Sequence, residues 1–271
     1  MQKVKYLTRP IGADTWLIEQ HMLTSEASAY LIVGDEKAML IDTGLALPGF
    51  FEAVGGLTDK PIEVLCTHAH LDHIGANRLY NKTYLLEEDR GLLTLQTTPD
   101  YLAGMVNSAV PGIARWLLKK EMTAILRDTT AAGSYEYIND GALFDLGGRS
   151  LEVIATPGHT RGSLCVLDRE NRRLFSGDTV CDWGILLHLD WAASPETFLH
   201  SVERLRRMVD RFDEIWPGHH KKPLPVDYLD DYINCARSIV NGTATYGRRQ
   251  QAQYAKYGRV LITVPAADRK Q

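Results

Sequence analysis

Thr67-His68-Ala69-His70-Leu71-Asp72-His73 follows directly on the β-branched run Ile62–Cys66, so four side chains able to bind a metal fall within six residues where a strand runs out into a loop. Imidazole and carboxylate at alternate positions of an extended segment converge on one side, while the closing Asp-His pair turns to serve a neighbouring point. That geometry suits two ions a few Å apart. The chain holds only 9 His in 271 residues, so the chance of HxHxDH arising somewhere is on the order of one in a thousand.

Further along, three more candidate ligands each stand just after an expected strand. They are His159 in Thr156-Pro157-Gly158-His159-Thr160, Asp178 in Ser176-Gly177-Asp178-Thr179, and His219 in Trp216-Pro217-Gly218-His219. Gly or Pro-Gly before each permits a tight turn that leaves a side chain at a sheet edge. Five neutral imidazoles and two carboxylates would give two divalent cations a site of net charge −2; the mix suits zinc, with iron or manganese acceptable. Such ions bring the pKa of water from 15.7 towards ~7, so a nucleophile exists at neutral pH without Ser or Cys. They also polarise a carbonyl or phosphoryl oxygen.

Short β-branched or aromatic runs at Thr15–Ile18, Ala29–Val33, Ala38–Ile41, Ile62–Cys66 and Thr83–Leu85 read as strands, with a helix at about Gly49–Gly56. From Leu86 to about Arg127, Leu92, Leu93, Leu95, Met105, Ile113, Trp116, Leu117, Met122 and Ile125 recur at loose helical spacing, broken at Pro99 and Pro111–Gly112. This predicts a helical insertion. A second strand-rich block follows at Ala142–Leu146, Leu151–Ala155, Leu164–Leu167 and Arg173–Ser176. Ser194-Pro195-Glu196 opens a helix whose stripe is Phe198, Val202, Leu205, Val209 and Phe212. Then come a strand at Glu214–Trp216, a helix near Val226–Val240 ended by Asn241–Gly242, and a strand at Val260–Val264. Two strand-rich halves, each with helices, suggest two sheets face to face with helices outside. No linker or repeat marks a boundary, so one domain over residues 1–271 is expected.

Composition narrows the function. With 30 basic and 34 acidic residues spread along the chain and a net charge of −4, no polyanion-binding surface is advertised, and nucleic acid is excluded as a first partner. No stretch approaches the roughly 20 apolar residues needed to cross a bilayer, and the N-terminus lacks the apolar run of a secretory signal, so a cytoplasmic protein acting away from membranes on a small molecule is expected. Cys66, Cys165, Cys181 and Cys235 form no CxxC pair, which suits a reducing compartment and argues against a thiolate zinc knuckle.

Taken in order, HxHxDH, TPGHTxGS, SGDT and PGHH resemble the motifs of the metallo-β-lactamase superfamily, with glyoxalase II and its hydrolase relatives nearest in wording. The resemblance is sharp at these four motifs and extends in arrangement from about Thr15 to Trp216. It implies an α+β fold, a four-layer αββα sandwich with the site at one edge of the two sheets, here with a helical insertion at about 86–130 and a C-terminal helix and strand at about 222–271. Carried over by position, it implies that His68, His70 and His159 hold one metal, that Asp72, His73 and His219 hold the other, and that Asp178 bridges both. Catalysis would then be attack by a hydroxide shared between the metals, with Asp72 orienting it or shuttling a proton. Asp42, in Ile41-Asp42-Thr43-Gly44, resembles a position that supports the ligands from behind; an Asp-Thr-Gly turn with a local hydrogen bond is the plainer account.

His219 rather than His220 fits the PGH pattern, and His188, Trp183 and Trp191 either contact substrate or pack a long loop. Cys181 lies three residues past the bridging position, which Asp occupies, so antibiotic hydrolysis is disfavoured. The expected reaction is hydrolysis of a thioester, ester or lactone. Glyoxalase II binds glutathione through basic and aromatic groups of a C-terminal helical region, and only Arg248, Arg249 and Tyr254 suggest this here. The insertion can serve as an apolar lid through Tyr101, Met105, Trp116 and Leu117, as an interface in a homo-oligomer, or as packing alone. Three rivals stay open: a phosphodiesterase on the same metals, although Arg115, Lys119 and Lys120 are balanced by nearby acids; a mononuclear iron dioxygenase of persulfide type; and a non-enzymatic metal-binding protein.

Overall fold

In a computed structural model, which describes residues 6–21, 26–45, 47–109, 134–249 and 252–266, the strands of the N-terminal half follow the β-branched runs closely. Two compact units make up the chain: Met1–Ile138 with Asp145–Arg149, and Asn139–Phe144 with Ser150–Gln271.

The first unit carries β1 (Leu7–Gly12), β2 (Thr15–His21), β3 (Glu26–Val33), β4 (Ala38–Ile41), β5 (Ile62–Leu65), β6 (Thr83–Leu86) and β7 (Tyr135–Ile138), joined in that order in one sheet. The pairs from β1 to β4 are antiparallel; those from β4 to β7 are parallel. Every residue of β4 and β6 is buried, as interior parallel strands require. Because β4, β5 and β6 run the same way, their C-terminal ends open on one edge of the sheet, the edge where such folds place ligands. Neither β1 nor β7 is evident from pattern: β1 holds Pro10, tolerated on an edge strand, and β7 is polar at Glu136.

Helix α1 (Phe50–Gly55) follows β4, and the four-residue α2 (Leu71–Ile74) follows β5. The expected insertion begins with α3 (Arg90–Gln96) and α4 (Pro99–Ala109), Pro99 opening the second helix. Its remainder, with Ile113, Arg115, Trp116, Leu117, Lys119, Lys120, Met122 and Ile125, lies outside the described residues.

The second unit's larger sheet has the order β14-β13-β11-β10-β9-β8, from β8 (Leu143–Asp145), β9 (Ser150–Ala155), β10 (Leu164–Asp168), β11 (Arg173–Gly177), β13 (Glu214–Pro217) and β14 (Leu224–Pro225). Antiparallel pairing of β9 with β10 and of β10 with β11, then parallel pairing of β11 with β13, makes β9, β11 and β13 co-directional. Their C-terminal ends therefore share an edge. A smaller sheet, ordered β12-β17-β16-β15, joins β12 (Ile185–Leu186) to β15 (Tyr246–Arg249), β16 (Ala252–Tyr257) and β17 (Val260–Pro265).

Helix α5 (Pro195–Arg206) starts where the sequence predicts, the Thr197 N–H donating to Ser194 Oγ at 3.2 Å. It buries Phe198, Val202 and Leu205 but stops at Arg206. The stripe extended to Val209 and Phe212 is a correction: Val209 lies in a 3-10 turn, and Phe212 reaches the core from extended backbone just ahead of β13. An apolar residue leading into a strand had kept the helical period by position alone. Helix α6 (Tyr228–Val240) packs with α5 and against β16 and β17, and Gly242 at φ +68° closes it. Among the described residues no helix is long and apolar enough to cross a membrane.

Candidate metal centre

In the first unit the ligand loop is held by buried acceptors at three of its backbone N–H groups. Thr67 N–H donates to Asp42 Oδ1 (2.7 Å), Ala69 N–H to Asp89 Oδ2 (2.9 Å) and Leu71 N–H to Gln96 Oε1 (3.0 Å). Asp42 follows β4, Asp89 follows β6 and Gln96 ends α3, so the neighbouring elements fix the loop that β5 delivers. From the end of β4, Thr43 N–H also donates to the His73 carbonyl (2.8 Å), clamping α2.

Asp42 sets the tautomers. Its Oδ2 accepts from His73 Nδ1 (2.8 Å) and from Thr67 Oγ1 (2.8 Å). Since the single Thr67 hydroxyl hydrogen is spent on Asp42, the 3.1 Å contact between Thr67 Oγ1 and His68 Nδ1 must be donated by the imidazole. Both rings thus carry their proton on Nδ1 and keep the Nε2 lone pair for coordination. Asp42 reaches Thr67 and His73 rather than forming only a local turn bond, at a left-handed φ of +58° that Asp tolerates better than most residues. His68 packs edge-on to His70, ring centroids 4.8 Å apart, and lies 4.0 Å from His73. Ligand atoms of His68 and His70, of His68 and His73, and of Asp72 and His73 lie within 4.8 Å of one another. Asp72, in the first turn of α2, is half-buried.

In the second unit each candidate ligand follows one of the three co-directional strands. His159 comes after β9, Asp178 after β11 and His219 after β13. The strand ends are tied together: Gly218 N–H donates to the Gly177 carbonyl (2.8 Å), and the Thr156 and Thr179 hydroxyls are 2.9 Å apart. Gly158 is required by packing, because a Cβ there would lie 2.5 Å from the Phe198 ring. His159 Nδ1 donates to the Leu186 carbonyl at 3.2 Å, which fixes its tautomer as Asp42 fixes that of His73. Its Nε2 is 3.4 Å from Asp178 Oδ2, and His219 Nε2 is 3.4 Å from Asp178 Oδ1. One buried carboxylate therefore presents a separate oxygen to each of two imidazoles.

These spacings fit metal coordination. Ligand atoms bound at about 2.0–2.1 Å in a tetrahedral shell stand about 3.3–3.4 Å apart, which matches the 3.4 Å separations around Asp178.

Other residues singled out from the sequence have separate engagements. His220 Nδ1 pairs with Asp182 Oδ2 at 2.9 Å, and His188 Nδ1 lies 2.7 Å from Thr263 Oγ1. Trp183 is partly exposed; Trp191 receives the Arg161 N–H on its carbonyl and the Arg161 guanidinium over its ring. All four cysteines are buried, and burial with the nearby Asp178 charge pushes the Cys181 thiol well above its ordinary range, so Cys181 is a poor thiolate ligand. Tyr254 lies over Gly247 within the β15–β16 pair, leaving its ring to the sheet. Thr67, Asp89 and Gln96, which pattern reading misses, hold the loop by hydrogen bonds; the signal available was a polar residue at the end of an otherwise apolar element.

A model of the metallo-beta-lactamase superfamily matches residues 24–219. Acyl-coenzyme A thioesterase MBLAC2 of Gallus gallus is 29% identical over 234 residues, covering 78% of this chain and 79% of that protein. The Homo sapiens protein of the same name is 27% identical over 235 residues, covering 79% and 81%. Among solved structures, a metallo-beta-lactamase family protein of Thermus thermophilus aligns with a TM-score of 0.67 at 19% identity over 86% of this chain and 82% of that one.

Proposed function

Because the chain belongs to the metallo-β-lactamase superfamily and has its α+β fold, we propose that it is a metal-dependent hydrolase of acyl thioesters, with coenzyme A thioesters as its substrate class. The observation that carries the substrate class is the likeness, over more than three quarters of both chains, to proteins named acyl-coenzyme A thioesterases. The metal requirement is supported by Asp178, whose two oxygens each face one histidine Nε2.

In this reading the chain binds a pair of ions, zinc being the proposed metal. His68, His70 and His159 are assigned to one ion, Asp72, His73 and His219 to the other, and Asp178 to both. Two such ions, when bound, supply Lewis acidity and lower the pKa of water towards ~7. The chain's own residues do the rest. Asp42, the Thr67 hydroxyl and the Leu186 carbonyl keep His73, His68 and His159, respectively, in the coordinating tautomer. Asp72 is assigned the orientation of the attacking water and the transfer of its proton. A thiol leaving group, with a pKa of about 8.5, departs without a strong general acid. A site whose imidazoles are committed to ligation therefore suits a thioester better than an alkyl ester.

The test is release of free thiol from acyl-coenzyme A thioesters of short, medium and long chain by zinc-reconstituted protein, with aryl lactones and bis-aryl phosphates alongside. Thiol release that exceeds turnover of the other two classes supports the assignment. Turnover of the phosphodiester alone, or oxygen uptake by protein holding one iron, replaces it with one of the rival chemistries.

A further inference from the structure

Cys181 lies between β11 and β12, three residues beyond Asp178, and is fully buried outside any sheet. A buried peptide group needs partners, and one side chain of α6 supplies both. Tyr232 donates its Oη–H to the Cys181 carbonyl at 2.7 Å, and the Cys181 N–H donates to the same Oη at 3.1 Å. A phenol can do this because its oxygen carries one hydrogen and also accepts. Tyr232 is itself fully buried, its ring edge-on to Phe198 with centroids 5.8 Å apart, so the hydroxyl is held in one place. The stretch from the end of β11 to Cys181 is closed on itself. Thr179 N–H donates to the Ser176 carbonyl at 2.9 Å, and Ser176 Oγ donates to the Val180 carbonyl at 3.0 Å. Asp178 therefore rides on a short turn pinned in front by β11 and behind by Tyr232.

We propose that Tyr232 is the positioning residue for Asp178, holding its turn through the Cys181 backbone so that each carboxylate oxygen stays opposite one imidazole. This rests on the metal-binding reading of Asp178, and the Cys181 thiol has no part in it. The tolerance is narrow. Asp178 Oδ2 and Oδ1 stand 3.4 Å from His159 Nε2 and His219 Nε2, and a coordination shell accepts distance errors of only about 0.2 Å. A turn released at Cys181 pivots about the end of β11. Because the two oxygens belong to one rigid carboxylate, a pivot that brings one towards its imidazole takes the other away from its own. Tyr232→Phe keeps the ring and its packing on Phe198 but leaves a buried N–H and a buried carbonyl without their partner, which drives the turn to rearrange. The Phe198 ring that closes on Gly158 ahead of His159 is left in place, so the substitution isolates the Asp178 side of the cluster.

The experiment compares the full wild-type chain with Tyr232→Phe and Cys181→Ala. Zinc affinity is read by chelator competition, the visible absorption of the cobalt-substituted protein reports the geometry around the ion, and Tm is taken with and without metal. Tyr232→Phe is expected to bind zinc about 10-fold more weakly and to give a shifted cobalt band. Cys181→Ala keeps the backbone groups that Tyr232 holds, so its affinity and cobalt band are expected to match wild type even where its Tm falls. A merely structural role for Tyr232 lowers Tm with and without metal alike and leaves both metal readouts unchanged. Where Tyr232→Phe does not fold, Tyr232→4-aminophenylalanine, whose amine still donates but accepts poorly, takes its place with an expected loss in affinity of about 3-fold. If wild type binds zinc and the variant at position 232 keeps the wild-type affinity and cobalt band, the role of Tyr232 is overturned and the metal-binding reading stands. Losses of equal size in Cys181→Ala overturn it too, because the thiol rather than the backbone then holds the turn. If wild type takes up neither metal, the reading of Asp178 falls and this role falls with it.

Discussion

Within His68–His73 the first unit's candidate ligands are neighbours in sequence; the buried Asp42 carboxylate meets His73 Nδ1 directly and reaches His68 Nδ1 through the Thr67 hydroxyl. The second unit's candidate ligands, His159, Asp178 and His219, come from three separate strand ends; a backbone carbonyl orients His159, and Asp178 faces both imidazoles. Positional precision thus comes from side-chain hydrogen bonds in one cluster and from sheet register in the other. The first is vulnerable to a single polar substitution, the second to changes in packing behind the strand ends.

The largest expected effect is removal of a ligand. His70→Ala should lower zinc content, measured by elemental analysis, and reduce thiol release by about three orders of magnitude or more; unchanged turnover would refute its role. Asp42→Asn sharpens the contrast. An amide NH2 facing His73 Nδ1 pushes the imidazole proton to Nε2 and removes the coordinating lone pair, so zinc affinity in a chelator competition should fall about 10–100-fold. If affinity is unchanged, the first cluster does not depend on its carboxylate relay. Gly158→Ala probes the second cluster by driving a Cβ towards Phe198. Overpacking of this kind costs about 1–3 kcal/mol, and each kcal/mol lowers Tm by roughly 2–4 °C in a chain of this size. Melting and zinc content measured together should both drop; loss of neither would show that the turn has room to give. The smallest effect belongs to Ser194→Ala, which removes the α5 cap for about 1 kcal/mol and should leave zinc content and kcat at wild-type values.

The strands leading to both clusters were legible because their β-branched runs are short and bounded by Gly, Asp or Pro. Ala38–Ile41 is the same span in sequence and structure, and Leu151–Ala155 differs from β9 only by Ser150. The four motifs were legible as chemistry at strand ends. Less so were the groups behind them: Thr67, Asp89, Gln96 and the Leu186 carbonyl are ordinary until the fold shows what they face. Tyr101 was open to three readings, lid, interface or packing, and the fold shows its phenol engaged by Gln96. The β15–β16 hairpin was missed because Arg248, Arg249 and Gln253 break any alternation, and its pairing relies instead on Tyr254 lying over the bare Gly247. In each of these cases tertiary partners, rather than local propensity, decide the outcome.

We propose that metal binding depends most on Asp178, whose two oxygens each face one histidine Nε2. Counting zinc atoms per chain by elemental mass spectrometry, in wild type and in Asp178→Ala, tests it most directly. The account predicts two in the wild type and fewer than one in the variant; a wild type that takes only one, or a variant that keeps two, would contradict it.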